Sequence, residues 1–434
     1  MALYFPFIYF ISLFLYFYRK NDCEISVVSY ITLLYVIISF FSIILVNMNL
    51  VNGLNGVLYT KGTLTIGVLP TLYYCFLLTL ILFPFKKVNL NKTKNIQVIS
   101  ERKFNVVLGI FILIAIINIY SYSNSLLNIS SLDFLEIRQS HYAGEESEAS
   151  IKMQSVPFPF NYLSYLQRST VFSILLFFYR TLIMNKQDWK NIILFFCSLT
   201  LPLSCLQSAD RTDVVFFMLM FVFCWILFKP YLIESKKKYI IRFFYPILGG
   251  IGIYIFMVTI ARFAERDGGA GDSVLRYGGE TFLNFCYYFE NANPNVYFTD
   301  RVFPISSHMI LGIDYSDTKD LRSILHGFNV GVFPSFLGVI MLDIGKFGVL
   351  LWTLIFSFSC NIIFNKISST TSLLSLLLIV FSLAVIPIFG IFYYYYYNFI
   401  HALTYVFALF LSIYVYQKKK LKNGTKSILH NCNL

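Results

Sequence analysis

The amino-acid sequence predicts an all-α polytopic membrane protein of about eleven transmembrane helices, with two large loops on one side of the bilayer. Three observations predict it. Of 434 residues, 57% are hydrophobic and only 13% charged, with a mean hydropathy of +0.69. A soluble domain of this length needs far more polar surface to cover its core. The apolar residues fall in blocks of about 17 to 25, the length that crosses a bilayer at about 1.5 Å per residue. The basic residues cluster beside alternate blocks, as topology signals do.

The predicted spans are 2–18, 25–46, 63–85, 104–122, 166–184, 191–207, 212–228, 243–261, 333–364, 372–391 and 398–416. The first block has no basic residue before it and no small-residue cleavage site after it, so it reads as a helix rather than a signal peptide. The ninth is too long for one straight span. Its first part holds Pro334, Gly338, Gly345 and Gly348, which points to a re-entrant or broken helix.

Loop charges set the expected orientation. One set of loops, from Arg19–Lys20 to the tail Lys418–Lys426, holds 22 Lys/Arg and five acids; the opposite set holds 12 Lys/Arg and 17 acids. The basic side is read as cytoplasmic, with the N-terminus outside and the C-terminus inside. The chain then divides into helices 1–4 (1–122), a first outer loop (123–165) and helices 5–8 (166–261). A second outer loop (262–332), helices 9–11 (333–416) and a basic cytoplasmic tail (417–434) follow. The first outer loop carries the acidic patch Glu145, Glu146 and Glu148. Cytoplasmic connections are short, so any chemistry is expected at the outer face or within the bilayer.

Arginine and lysine are sorted by side. Only four of the 22 cytoplasmic cations are Arg, whereas eight of the 12 outside are: Arg138, Arg168, Arg211, Arg262, Arg266, Arg276, Arg301 and Arg322. Orientation alone treats the two alike. A guanidinium offers a rigid fork matched to phosphate or carboxylate and keeps its charge when desolvated, so the outer arginines suggest an anionic ligand. The bland alternative pairs each with a nearby acid. Arg262 and Arg266 are one helical turn apart and repel unless something anionic lies between them, such as Glu265, Asp267 or a ligand. Arg211 stands at the mouth of two apolar helices beside Asp210, a natural N-cap. Arg276 and Glu280 are also one turn apart, in a stretch where Leu275, Phe282, Phe285 and Phe289 predict an amphipathic helix on the membrane.

Of five histidines, His326 is the best candidate base, because it precedes the glycine-punctuated Gly327-Phe328-Asn329-Val330-Gly331 that returns the chain to the membrane. No histidine or cysteine has metal-ligand spacing, so neither metal nor cofactor is expected. Cys286 alone is expected on the oxidising side, which argues against disulfides. The net charge of +12 lies beside apolar blocks rather than on a soluble basic stripe, which excludes nucleic acid as a partner.

This pattern resembles the Wzy-type O-antigen and capsule repeat-unit polymerases. Three places carry the resemblance: Ser208-Ala209-Asp210-Arg211-Thr212, a small-residue-then-Arg helix start; Arg262 and Gly278, an R-x15-G spacing; and Asp343-Ile344-Gly345-Lys346-Phe347-Gly348, a D-x-G-x-x-G segment after the large loop. The first outer loop departs from it, since the same spacing from Arg138 ends on Gln154. The resemblance implies a GT-C-like polymerase or ligase architecture in the bacterial cytoplasmic (inner) membrane. It implies an enzyme, a glycosyltransferase that moves a growing glycan from undecaprenyl pyrophosphate to a sugar hydroxyl of another lipid-linked repeat unit. Arg211, Arg262, Arg266 and Arg276 would hold the pyrophosphate, His326 would be the base, and Asp210 or Glu280 its substitutes. Membrane lipid, a chain-length regulator and a flippase are the implied partners.

An O-antigen ligase shares this chemistry and plan. A transferase using a polyprenyl monophosphate sugar would carry an acidic pair in its first outer loop, but Asn47 to Gly62 contains no acid. A flippase would show internal repeats and charges at mid-membrane, and neither is evident.

Overall fold

A backbone surrounded by hydrocarbon must satisfy its own hydrogen bonds, and the apolar blocks of this chain do so as helices. The computed structural model describes residues 2–48, 66–93, 96–127, 160–205, 211–263, 269–292, 299–313, 321–324, 326, 335–367 and 372–417. Its main helices are α1 (Phe5–Lys20), α2 (Val27–Asn47), α3 (Val68–Leu82), α4 (Glu101–Leu127), α5 (Phe172–Leu182) and α6 (Trp189–Leu203). They continue as α7 (Thr212–Leu227), α8 (Glu234–Phe263), α9 (Gly269–Asn291), α10 (Ser335–Asn365), α11 (Leu373–Phe389) and α12 (Phe399–Val415). The 3-10 stretch Phe160–Val171 leads into α5. No strand occurs among the described residues.

Among the described residues, four segments are long and apolar enough to cross a membrane: Val27–Asn47, Val68–Lys87, Glu101–Ser123 and Ser335–Asn365. The helices α6, α7, α11 and α12 are apolar but shorter, at 10–17 residues. The protein is thus all-helical, with the apolar helices of a membrane-embedded chain. Several helix starts are capped as their residues dictate: Ser26 accepts from Ser29 N, Asp188 from Lys190 N and Asn398 from His401 N.

Side-chain contacts sort the helix termini into two ends. At one, Asn47 meets Tyr4, Tyr73 donates to the Lys346 carbonyl, and His308 stacks on Phe399 with centroids 4.1 Å apart. At the other, Lys229 pairs with Glu24, Lys87 donates to Asn361, and Lys103 donates to the Tyr414 and Tyr416 carbonyls. This second, lysine-rich end carries a latch. Arg180, fully buried and close over the Phe104 ring, holds Asp188 through two nitrogens at 3.2 and 2.6 Å and reaches Glu101 at 3.3 Å. It joins α4, α5 and α6, and Lys186 also pairs with Glu101.

The α10 segment is broken, as its glycines predicted. Gly345 has φ 74°, a backbone region that favours glycine, so the half before it leaves the line of the half after it. Phe336 N donates to the Gly390 carbonyl at 3.0 Å, and Phe336 lies against Trp352, so the two halves of α10 fold back beside the end of α11.

The stretch around Arg276 is helical, as its periodicity predicted, but α9 does not simply rest on a surface. It packs along α2 and against α3, α8 and α10, with Phe282, Leu283, Phe285 and Tyr288 fully buried. Cys286, expected on an outer loop, is buried in the same interface. Periodicity reported the apolar face correctly; it could not report that the face has a protein partner.

Two glycines permit the close approach. A Cβ on Gly279 would stand 2.7 Å from the Phe41 carbonyl oxygen, and one on Gly278 would stand 2.4 Å from the Phe41 ring. Ser42 Oγ donates to the Gly279 carbonyl at 2.7 Å across the contact. Gly279→Ala is therefore expected to lower stability by about 1–3 kcal/mol through overpacking. Ser42→Ala, which removes only the hydrogen bond, should cost about 1 kcal/mol. Thermal unfolding in detergent measures both, and an unchanged Gly279→Ala protein would contradict the close packing.

Candidate functional site

Two networks of buried charge occupy the end of the bundle opposite the lysines. The first forms where α6 ends and α7 begins. Asp213, in the first turn of α7, pairs with Arg168 from the 3-10 stretch and accepts from Ser204 Oγ at 2.8 Å. A carboxylate in a helix's first turn also meets the positive end of the helix dipole. Beside this pair lies the tyrosine-rich turn after α11. Tyr395 is fully buried, stacks on Phe216 at 4.4 Å and on His401 at 4.8 Å, and its carbonyl lies 2.6 Å from His401 Nδ1. Arg211 occupies the N-cap position of α7, two residues before Asp213, and its side chain does not cap the helix.

The second network centres on Arg322, which is almost fully buried. Its Nη1 donates to Asp343 and its Nη2 to Asp300, both equally buried. Asp343 ends the first half of α10, two residues before the Gly345 break. The break makes this charge a helix-end group rather than a mid-span one. Asp343 Oδ2 has no hydrogen-bond partner among the described residues. Arg301, also buried, and the half-buried His326 complete the cluster. Burial first, then the Arg322 and Arg301 charges, hold the His326 imidazole below its ordinary 6.5, which favours the neutral form that a base requires.

The third feature is the pair Arg276 and Glu280 on α9. Glu280 is buried, and burial raises its carboxyl from the ordinary 4.5 to about 8 against the opposing pull of Arg276. Near neutral pH it is mainly a carboxylic acid, so as a substitute base it would first have to lose a proton. Arg276 Nε is buried without a hydrogen-bond partner among the described residues, which leaves the guanidinium donor capacity open to an anion.

Of the residues singled out from sequence, His326 is thus brought to a charged cluster, Arg211 stands beside another, and Arg276 and Glu280 sit together on α9. Asp210 and Arg266 lie outside the described residues, as does the acidic patch Glu145, Glu146 and Glu148. Arg262 belongs to the last turn of α8, and its side chain is likewise not described. Among the described residues, no three His, Cys, Asp or Glu side chains are grouped to hold a metal ion.

Sequence reasoning missed the partners. Arg168 and Asp213 are 45 residues apart, and Arg322 lies 21 and 22 residues from its two acids, so no helical spacing announces either network. The one available signal was Asp343, an acid inside an apolar block next to a glycine-marked break. The bland reading of the outer arginines holds for Arg168 and Arg322, which are committed to carboxylates.

The shifted Glu280 carboxyl makes stability depend on pH. Between about 4.5 and 8 the folded chain keeps a proton that the unfolded chain has lost, so stability falls as pH rises through this window and levels above it. Glu280→Gln, which cannot ionise, should flatten that part of the profile in thermal unfolding measured against pH. A profile identical to wild type would place the Glu280 carboxyl in water.

Comparison with known proteins gives no match: no family model fits the chain, and no curated protein and no solved structure is significantly similar to it.

Proposed function

We propose that this protein polymerises polyprenyl-pyrophosphate-linked oligosaccharide repeat units at the outer face of the cytoplasmic membrane. In this reading eleven helices span the bilayer, the lysine-rich end is cytoplasmic, and the arginine-rich end faces outward. The observation that carries the proposal is the gathering of His326, Arg301, Arg322, Asp300 and Asp343 at the α10 break, at the same end of the bundle as Arg211. A neutral imidazole beside fixed guanidinium groups suits a reaction in which a hydroxyl loses a proton while a diphosphate gains charge.

The chemistry would be an inverting displacement. The acceptor sugar hydroxyl attacks the anomeric carbon of the donor glycan, the bond from that carbon to the pyrophosphate oxygen breaks, and its electron pair leaves with the pyrophosphate. His326 takes the hydroxyl proton. Arg211, Arg262, Arg266 and Arg276 bind the lipid-borne diphosphate and meet its developing charge. Arg322 has a different role from these four. Its charge is already answered by two buried acids, so it positions the α10 break, while burial is the first cause that keeps the nearby His326 neutral. Asp210 and Glu280 remain substitutes for the base, Glu280 with the proton handicap described above.

A strain lacking the protein is expected to accumulate single lipid-linked repeat units and to display surface glycan one unit long. Absence of translocated units would indicate a transporter instead, and normal polymer retained on its lipid carrier would indicate a ligase. His326→Ala should slow chain growth on the order of 10²–10⁴-fold while the protein still inserts in the membrane. Arg211→Ala and Arg262→Ala should abolish chain growth. Polymer of wild-type length in all three variants, read by gel electrophoresis of surface glycan, would refute the site.

A further inference from the structure

The opposite end of the bundle holds a second cationic feature that the proposed chemistry does not use. The end of α1 forms the wall of a groove lined by Ser12, Leu15, Tyr16, Arg19 and Lys20. Lys86 belongs to the same cluster, close enough to Lys20, Tyr16 and Lys87 for their charges to act on its ammonium. Lys86 Nζ sits 3.3 Å from the centroid of the exposed Phe83 ring, and Lys20 lies over Tyr16, donating to its hydroxyl at 3.4 Å.

Like charges so gathered normally have an acid between them. Here Arg19, Lys20, Lys86 and Lys87 form no ion pair among the described residues, and nearby Glu24 is engaged by Lys229 at 3.0 Å. Lys87 is turned to the Asn361 side-chain oxygen, a neutral acceptor. The remaining wall, Leu15 and Tyr16, is uncovered at 44% and 53% exposure, and the Phe83 ring beneath Lys86 is 51% exposed. Ser12 Oγ is turned back to the Ile8 carbonyl at 2.7 Å, so its hydroxyl is not offered to the groove.

We propose that this groove binds an anionic phospholipid, its headgroup phosphate held by Arg19, Lys20 and Lys86 and its acyl chain lying along Leu15 and Tyr16. The division of the groove into a cationic head and an apolar wall matches that amphiphile. A soluble anion would use only half of it. Cationic pockets at the ends of membrane helices select anionic lipids through about 1 kcal/mol per basic residue. The site is independent of the glycan chemistry at the other end, so it stands or falls by itself.

Native mass spectrometry of the full chain in detergent, titrated with phosphatidylglycerol or phosphatidylcholine, tests it. The wild type should retain phosphatidylglycerol in clear preference to phosphatidylcholine, and millimolar inorganic phosphate should not displace it. Lys20→Gln combined with Lys86→Gln should weaken that retention about thirtyfold, whereas Lys20→Arg with Lys86→Arg should preserve it. Equal retention of both lipids, displacement by free phosphate, or unchanged binding in the double Gln variant would overturn the proposal. Loss of binding in the charge-preserving Arg pair would overturn it as well.

Discussion

The buried bridge from Arg322 to Asp300 and Asp343 is the constraint around which the His326 end of the bundle is arranged. One guanidinium connects a loop acid to the acid that closes the first half of α10. Removing either kind of partner would strand a buried charge, at a cost of about 3–5 kcal/mol. The bridge therefore ties the long connection between α9 and α10 to the break at Gly345, and it brings the Arg322 guanidinium near His326, where Arg301 also acts. The chemistry proposed for His326 needs a neutral imidazole, which burial favours first and the Arg322 and Arg301 charges favour second.

The remaining architecture positions this corner. Phe336 and Gly390 join the first half of α10 to the end of α11, and the tyrosine-rich turn beyond α11 leads to the Arg168–Asp213 pair at the start of α7. Tyr394 reaches Trp352 on one side of the turn, while Tyr395 stacks on Phe216 on the other. The aromatic run is thus a packed spacer between two charged networks. Its composition alone suggested only residues that favour a membrane interface.

Charge is used differently at the two ends. At the lysine-rich end Arg180 is a structural latch, locked to Asp188 and Glu101, while Arg19, Lys20 and Lys86 form no ion pair among the described residues. Arg168 and Arg322 are satisfied by acids, whereas Arg276 Nε is buried without a hydrogen-bond partner among the described residues. Residue type was readable from the chain; commitment to a partner was not. An arginine's role depends on which carboxylate lies within about 4 Å, and that distance is a tertiary quantity.

By itself the sequence determined the helical class, because blocks of apolar residues have no other way to bury their backbone polar groups. It also determined the break in α10, since Gly345 and Gly348 weaken a segment too long to stay straight, and the sorting of arginine from lysine. Only the tertiary structure decided that α9 packs along α2, because a glycine pair signals close approach without naming the helix that approaches. Only the tertiary structure brought Asp300, Arg322 and Asp343 together around His326. Hydrophobic periodicity is local and is written residue by residue, whereas ion pairs spanning 21 to 45 residues arise from how the helices are stacked.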